Sequence, residues 1–134
     1  MINNKLVVYE DKGFKVNCSS DVFNKIKSIE IDYNQENFLI FYLNTKNKIV
    51  SEEVLFKGGV DACLICPKTL FRKALLNNSP KVIIAHNHPS SDLTASSEDL
   101  FVFDSLKKAG EVIDIRVLDS IIFNKEGYYS VIET

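Results

Sequence analysis

The sequence is short of the residues that build a scaffold by cross-links, by charge or by a membrane. It has three cysteines in 134 residues, Cys18, Cys63 and Cys66, too few and too unevenly placed for a disulfide framework, so they read as buried thiols. No apolar run approaches the ~20 residues of a membrane span, and no positively charged start leads into a signal-peptide core. Both absences point to an intracellular, cytoplasmic protein with no membrane partner. Net charge is scarce as well. Sixteen basic against 18 acidic side chains leave −2, which gives no general footprint for nucleic acid and leaves only a local cluster at Lys68, Arg72 and Lys73. There is no internal repeat, low-complexity tract or linker, and the length suits a single domain over 1–134 able to bury its own core.

Histidine is the most informative scarcity. The chain has two, and both lie one residue apart in the stretch VIIAHNHPSSDLTASSED, Val82 to Asp99. Val82, Ile83, Ile84 and Ala85 form the short apolar run of a fully buried strand. Side chains two apart on a strand share a face, so His86 and His88 can converge on one point. Pro89 cannot donate to a sheet ladder and should end the strand, and Ser90 to Thr94 should form a turn. Ser96 followed three residues later by Asp99, ahead of an apolar run, resembles a capping box and places Asp99 in the first turn of a helix. A strand end and a helix start joined by a short loop can bring two imidazoles and one carboxylate to the ~2.0–2.2 Å that zinc requires, with a fourth position left for water. An isolated histidine is usually structural; two beside a helix-start carboxylate are better read as ligands.

The rest of the chain alternates strand and helix signals. Leu6 to Tyr9 and Phe14 to Asn17 read as a strand pair turning at Asp11, Lys12 and Gly13. A helix follows, capped by Ser20 or Asp21, with Val22, Phe23, Ile26 and Ile29 as its core stripe. Asn37 to Thr45 and Lys48 to Phe56 make a hairpin through Lys46 and Asn47, broken by Gly58 and Gly59. A further strand, Val60 to Cys66, leads to Pro67 at the first position of a helix that buries Leu70, Phe71, Ala74 and Leu75. Odd spacing within that strand sends Cys63 and Cys66 to opposite faces, against a metal or redox pair. The helix after the histidines should run from Ser97 to Ala109 and stop at Gly110 in a left-handed conformation. Ile115 to Phe123 and Tyr128 to Ile132 close the chain as strands around Asn124 and Gly127. Hairpins at both ends with strand–helix units between them predict an α/β (α+β) fold whose mixed sheet is flanked by helices.

A zinc-activated water used for hydrolysis also needs a base to manage protons. Glu98 adjoins a ligand, while Glu36, Glu52 and Glu53 come from other strands. Spacing alone does not choose among them.

His86-Asn87-His88-Pro89, followed by Ser96 and Asp99, resembles the JAMM metalloprotease motif. QENFLIFYLNTKNKIVSEEVLFKGGVDA, PKTLFRKAL, AHNHPSSD, TASSEDL and IRVLDSIIF resemble the RadC branch of the JAB/MPN family from about Asp21 onward. That resemblance implies a mixed sheet flanked by helices, similar to the cytidine-deaminase architecture, and zinc held by His86, His88 and Asp99. It implies that the family's glutamate, which opens a strand after the first long helix, falls on Glu36 as general base rather than on Glu52 or Glu53. It also implies that the motif serine is Ser96, whose hydroxyl would stabilise an oxyanion although it is equally suited to cap the helix. The activity implied is zinc-dependent hydrolysis of a peptide or isopeptide bond in an unidentified peptide or protein substrate. Two departures stand out. RadC-type chains often carry a histidine after Leu-Asp where this one has Ser120, which bears on substrate or proton handling and not on the metal ligands. The N-terminal helix-hairpin-helix region of longer relatives is absent from this sequence.

Other functions are weighed against these residues. A non-catalytic MPN-type interaction module would not need the complete ligand set. A metal-dependent nuclease or DNA-repair-associated role is suggested by the string His86-Asn87-His88, but HNH nucleases spread those residues over a ββα unit. A facial-triad iron oxygenase would differ in its metal. A nucleobase deaminase would place its PCxxC after a histidine and a glutamate, and here both cysteines precede the histidines.

Overall fold

The computed structural model describes residues 5–8, 13–57 and 67–133. Among them run β1 (Lys5–Val8), β2 (Phe14–Lys15), α1 (Ser19–Lys27), β3 (Asn37–Leu43), β4 (Lys48–Lys57), α2 (Pro67–Leu76), β5 (Lys81–Asn87), α3 (Ser97–Ile113), β6 (Arg116–Phe123) and β7 (Tyr128–Ser130). The strands form one mixed sheet in the order β1-β4-β3-β5-β6-β7, with β2 also on β4. β5 and β6 are parallel, joined by the α3 crossover, and the other pairings are antiparallel. The mixed α+β sheet read from the sequence is therefore the one observed.

Helices cover both faces, which explains why the central strands read as unbroken apolar runs. All seven residues of β3 are buried. Phe38, Ile40 and Tyr42 pack with Val82 and Ile84 of β5 against Leu70, Phe71 and Ala74 of α2 and Phe103 and Leu106 of α3. Leu39, Phe41 and Leu43 pack with Ile83, Ala85, Ile121 and Phe123 against Val22, Phe23 and Ile26 of α1. Full burial of such a side chain is worth about 1.5–3 kcal/mol, so these two layers hold β5 in register. The alternation along β5 also decides which way the next residues point: His86 continues the row of Val82 and Ile84, and Asn87 continues that of Ile83 and Ala85.

Several expectations need correction. β1 and β2 do not pair with each other; each pairs antiparallel with β4, along Ser51–Val54 and Lys48–Ile49 respectively. The ten-residue β4 has an edge long enough for both. The turn residues Asp11 and Lys12, the expected strand from Val60 to Cys66, its cysteines, and Gly58 and Gly59 lie outside the described residues. The cap of α1 is Cys18, not Ser20 or Asp21. Asp21 instead reaches back to accept from the N–H groups of Asn17 at 2.8 Å and Cys18 at 3.3 Å. At this cap Cys18 is exposed rather than buried. Leu75 is 63% exposed, because it falls about 40° beyond the stripe of Leu70, Ala74 and Phe71 on a 3.6-residue turn.

Gly110 is also not the stop of α3. The helix continues to Ile113 and ends on Asp114, whose φ of 60° is left-handed and whose N–H donates to the Gly110 carbonyl. The reason for glycine is close approach: a Cβ there would lie 2.1 Å from the Ile115 carbonyl oxygen and 3.2 Å from the Phe71 ring. Gly110→Ala is expected to cost about 3 kcal/mol or more, at or above the usual range for overpacked cores, since backbone cannot swing aside as a side chain can. Urea denaturation checks this as a lowered midpoint at unchanged slope. Among the described residues no helix is long and apolar enough to cross a membrane.

Candidate metal centre

The site lies at the carboxyl end of β5, where the chain leaves the sheet and returns as the first turn of α3. His86 is the penultimate strand residue and is 5% exposed, its ring stacked on Phe38 with centroids 6.2 Å apart and planes at 15°. His88 lies just past the strand and is half-buried. Its Nδ1 is 3.0 Å from the Asp92 carbonyl oxygen. A carbonyl only accepts, so Nδ1 carries a proton, and in the neutral ring Nε2 is then the nitrogen with the lone pair. The loop that supplies this carbonyl turns through Ser91, at a left-handed φ of 67°, and the Asn124 side-chain amide donates to the Ser91 carbonyl at 2.9 Å.

Asp99 comes from the other side of the gap. Ser96 is the N-cap of α3, as its sequence predicts, and the box is reciprocal. The Asp99 N–H donates to Ser96 Oγ at 3.0 Å, and the Ser96 N–H donates to Asp99 Oδ2 at 2.9 Å. The capping interaction thereby fixes the carboxylate that faces the histidines.

The three side chains meet. His86 Nε2 is 3.1 Å from Asp99 Oδ1, and His88 Nε2 is 3.2 Å from Asp99 Oδ2. Donor atoms on a tetrahedral zinc with ~2.0 Å bonds are ~3.3 Å apart, close to both separations. Both ring nitrogens of His86 are buried without a hydrogen-bond partner, and Nε2 is the one that faces Asp99. A buried ring nitrogen that faces two other donor atoms without bonding to them fits a cation between them better than a closed polar cluster. His86, His88 and Asp99 each offer one donor atom, all within 4.8 Å of one another, and are the one such group found among the described residues. Burial alone would raise the Asp99 carboxyl's pKa; the His86 ring and the Ser96 cap outweigh it and hold the group well below the usual carboxylate range. It is ionised at neutral pH, as a ligand must be.

Glu36 immediately precedes β3, half-buried, two residues before Phe38, which pairs with His86. Burial pushes its carboxyl up; His86 and His88 pull it down, and Asp99 and Glu98 push it up again. It therefore shares the electrostatic field of all three candidate ligands. Glu52 and Glu53 are elsewhere, buried in the middle of β4. Glu52 pairs with Lys25 of α1 at 3.6 Å. Glu53 pairs with Lys73 of α2 at 3.0 Å and accepts from Tyr42 Oη at 3.1 Å. Both hold helices to the sheet, and the Glu53 pair occupies Lys73 of the small basic cluster. Ser120 is buried in β6 opposite Ile84, two residues before Ile122, which lies opposite His86.

The sequence reading overlooked Asn87, Asp92 and Asn124. Asp92 acts through its backbone, which no residue type signals, and Asn124 acts across 33 residues. The signal for Asn87 was present, because a residue between two same-face histidines must point to the opposite face.

A family model described as a RadC-like JAB domain matches residues 16–134. Among curated proteins the chain is 40% identical over 123 residues to a UPF0758 protein of Staphylococcus haemolyticus, covering 92% of this chain and 54% of that protein. It is 37% identical over 127 residues to one from Listeria monocytogenes, covering 95% and 57%. It is 36% identical over 133 residues to one from Pelodictyon phaeoclathratiforme, covering 99% and 60%. The chain thus spans a little over half the length of these relatives. The match takes in β5 and the two histidines at its end, the cap with Asp99 and the strands from β3 to β7, and on that basis the chain belongs to the RadC-like JAB domain family.

Proposed function

We propose that this chain is a zinc-dependent hydrolase of the JAMM type that cleaves a peptide or isopeptide bond. The observation that carries the reading is the convergence of His86 Nε2, His88 Nε2 and the Asp99 carboxylate, with one of those nitrogens buried and unbonded. A zinc ion held by these three would polarise a substrate carbonyl and lower the pKa of a water to about 7.

The protein's own groups do the rest. The Asp92 carbonyl holds the His88 tautomer in which Nε2, not Nδ1, is the ligand atom. Glu36 accepts the proton of the attacking water and passes it to the leaving amine nitrogen. Its half-buried position and upward-pushed pKa suit a group that must both take and release a proton. Ser96 can serve two roles at once. Its Oγ accepts from the Asp99 N–H, and the hydroxyl proton is left to donate to the oxyanion that develops on the substrate carbonyl.

The test is metal analysis of the purified chain followed by cleavage of an unbiased peptide library that includes isopeptide-linked members. Stoichiometric zinc and metal-dependent cleavage are expected. Stoichiometric zinc with no cleavage of any member would favour a metal-stabilised interaction module. Cleavage of plasmid DNA instead of peptides would favour a nuclease.

A further inference from the structure

Asn87 stands between the two candidate ligands, and strand alternation turns it away from them. It is 1% exposed, and so must satisfy its amide internally. Its partners are all on one segment. Oδ1 accepts from the Asn37 N–H at 2.8 Å and from the Asn37 side-chain amide at 3.1 Å. Nδ2 donates to the Gln35 carbonyl at 2.9 Å and, more weakly, to the Tyr33 carbonyl at 3.5 Å. The carbonyl of Gln35 and the N–H of Asn37 bracket Glu36, so one side-chain amide grips the backbone immediately before and after it. Asn37 adds a second tie by donating to the Gln35 and Asp32 carbonyls at 3.1 and 2.8 Å.

We propose that Asn87 is a positioning residue that locks the Glu36 backbone to the strand carrying His86, so that base and ligands are set by a single hydrogen-bonded unit. The face of β5 towards α2 and α3 carries His86, and the face towards α1 holds Glu36 in place beside it. Asparagine suits the position because the grip needs an acceptor and a donor on one short planar group. Asp lacks the donor, Ser lacks the reach, and Gln is one methylene too long. The inference rests on the reading of Glu36 as base, and the experiment below separates the two.

The probe is metal alone, with no substrate needed. Asn87→Ala, Asn87→Ser, Glu36→Gln and the double variant Asn87→Ala/Glu36→Gln are compared with the parent chain. Zinc affinity, read against a chromophoric chelator, should change by less than about threefold in the Asn87 variants. Loss of a residue that orients a ligand directly typically costs about 10- to 100-fold. Amide exchange at Asn37 should accelerate by about fivefold or more, as expected for loss of one such hydrogen bond, with β5 unaffected. In cobalt-loaded protein the visible spectrum should shift in Asn87→Ala in the same direction as in Glu36→Gln, with no further shift in the double variant. A residue that merely supports the fold would lower stability and leave that spectrum alone. Asn87→Ser supplies the same readouts if the alanine variant does not fold. A shifted Glu36→Gln spectrum beside unchanged Asn87 variants would overturn the role of Asn87 alone. An unchanged Glu36→Gln spectrum would overturn Glu36 as base and the positioning role with it. Loss of zinc in Asn87→Ser to the extent seen in His86→Ala would also overturn the proposal.

Discussion

Glu36→Gln is expected to keep the fold and the zinc and to lower turnover by about 10²- to 10⁴-fold, the typical contribution of a positioned acid–base group. The amide is nearly isosteric with the carboxylate but cannot take the water's proton at neutral pH. A packing defect is too small to imitate the loss, because about 1.4 kcal/mol is worth only tenfold in rate. The control lies in β4. Glu52→Gln and Glu53→Gln each remove the acidic partner of a lysine that bridges sheet and helix. Their cost should appear as a lowered Tm, since breaking a buried pair costs up to about 3–5 kcal/mol and partial exposure of Lys25 and Lys73 reduces that. Turnover per folded molecule should be preserved in both. The opposite pattern, full activity in Glu36→Gln and none in Glu52→Gln or Glu53→Gln, would move the base to β4. The measurement is kcat on whichever library substrate is cleaved, with circular dichroism and zinc content determined on the same samples.

His88→Ala should weaken zinc binding by more than about 100-fold, since even an outer partner of a metal ligand is worth about 10- to 100-fold. His88 is the cleaner choice of the two histidines. It lies beyond the strand end and is half-buried, so truncation disturbs little packing, whereas His86 is stacked on Phe38 inside the core. Thermal melts with and without zinc read the effect without a substrate. At a concentration 100 times Kd, binding stabilises the native state by about 2.7 kcal/mol, roughly a 5–15 °C rise in Tm for a domain of this size. The rise should vanish in His88→Ala while the zinc-free Tm stays within about 2 °C of the parent. Retention of the full zinc-dependent rise would remove His88 from the ligand set.

The sequence by itself determined the local features of this protein. Runs of apolar residues placed β3 and β5, the Ser96-to-Asp99 spacing placed the start of α3, and the two-residue step from His86 to His88 put both rings on one side of the chain. Each depends on backbone periods and caps that act over a few residues, which is why each is legible in order along the chain. The choice among the four glutamates was beyond those periods, and the family resemblance, not spacing, selected Glu36. Only the tertiary structure shows why Glu52 and Glu53 are otherwise engaged, because their lysines come from α1 and α2. It alone decided that β1 and β2 share the edge of β4, a pairing set by the free hydrogen-bonding edge of a distant strand. It decided the meaning of Gly110, where a glycine that looks like a helix stop is instead required by the return of the chain at Ile115. The grip of Asn87 on the two sides of Glu36 joins residues 50 positions apart, and a contact of that kind exists only once β3 and β5 lie side by side.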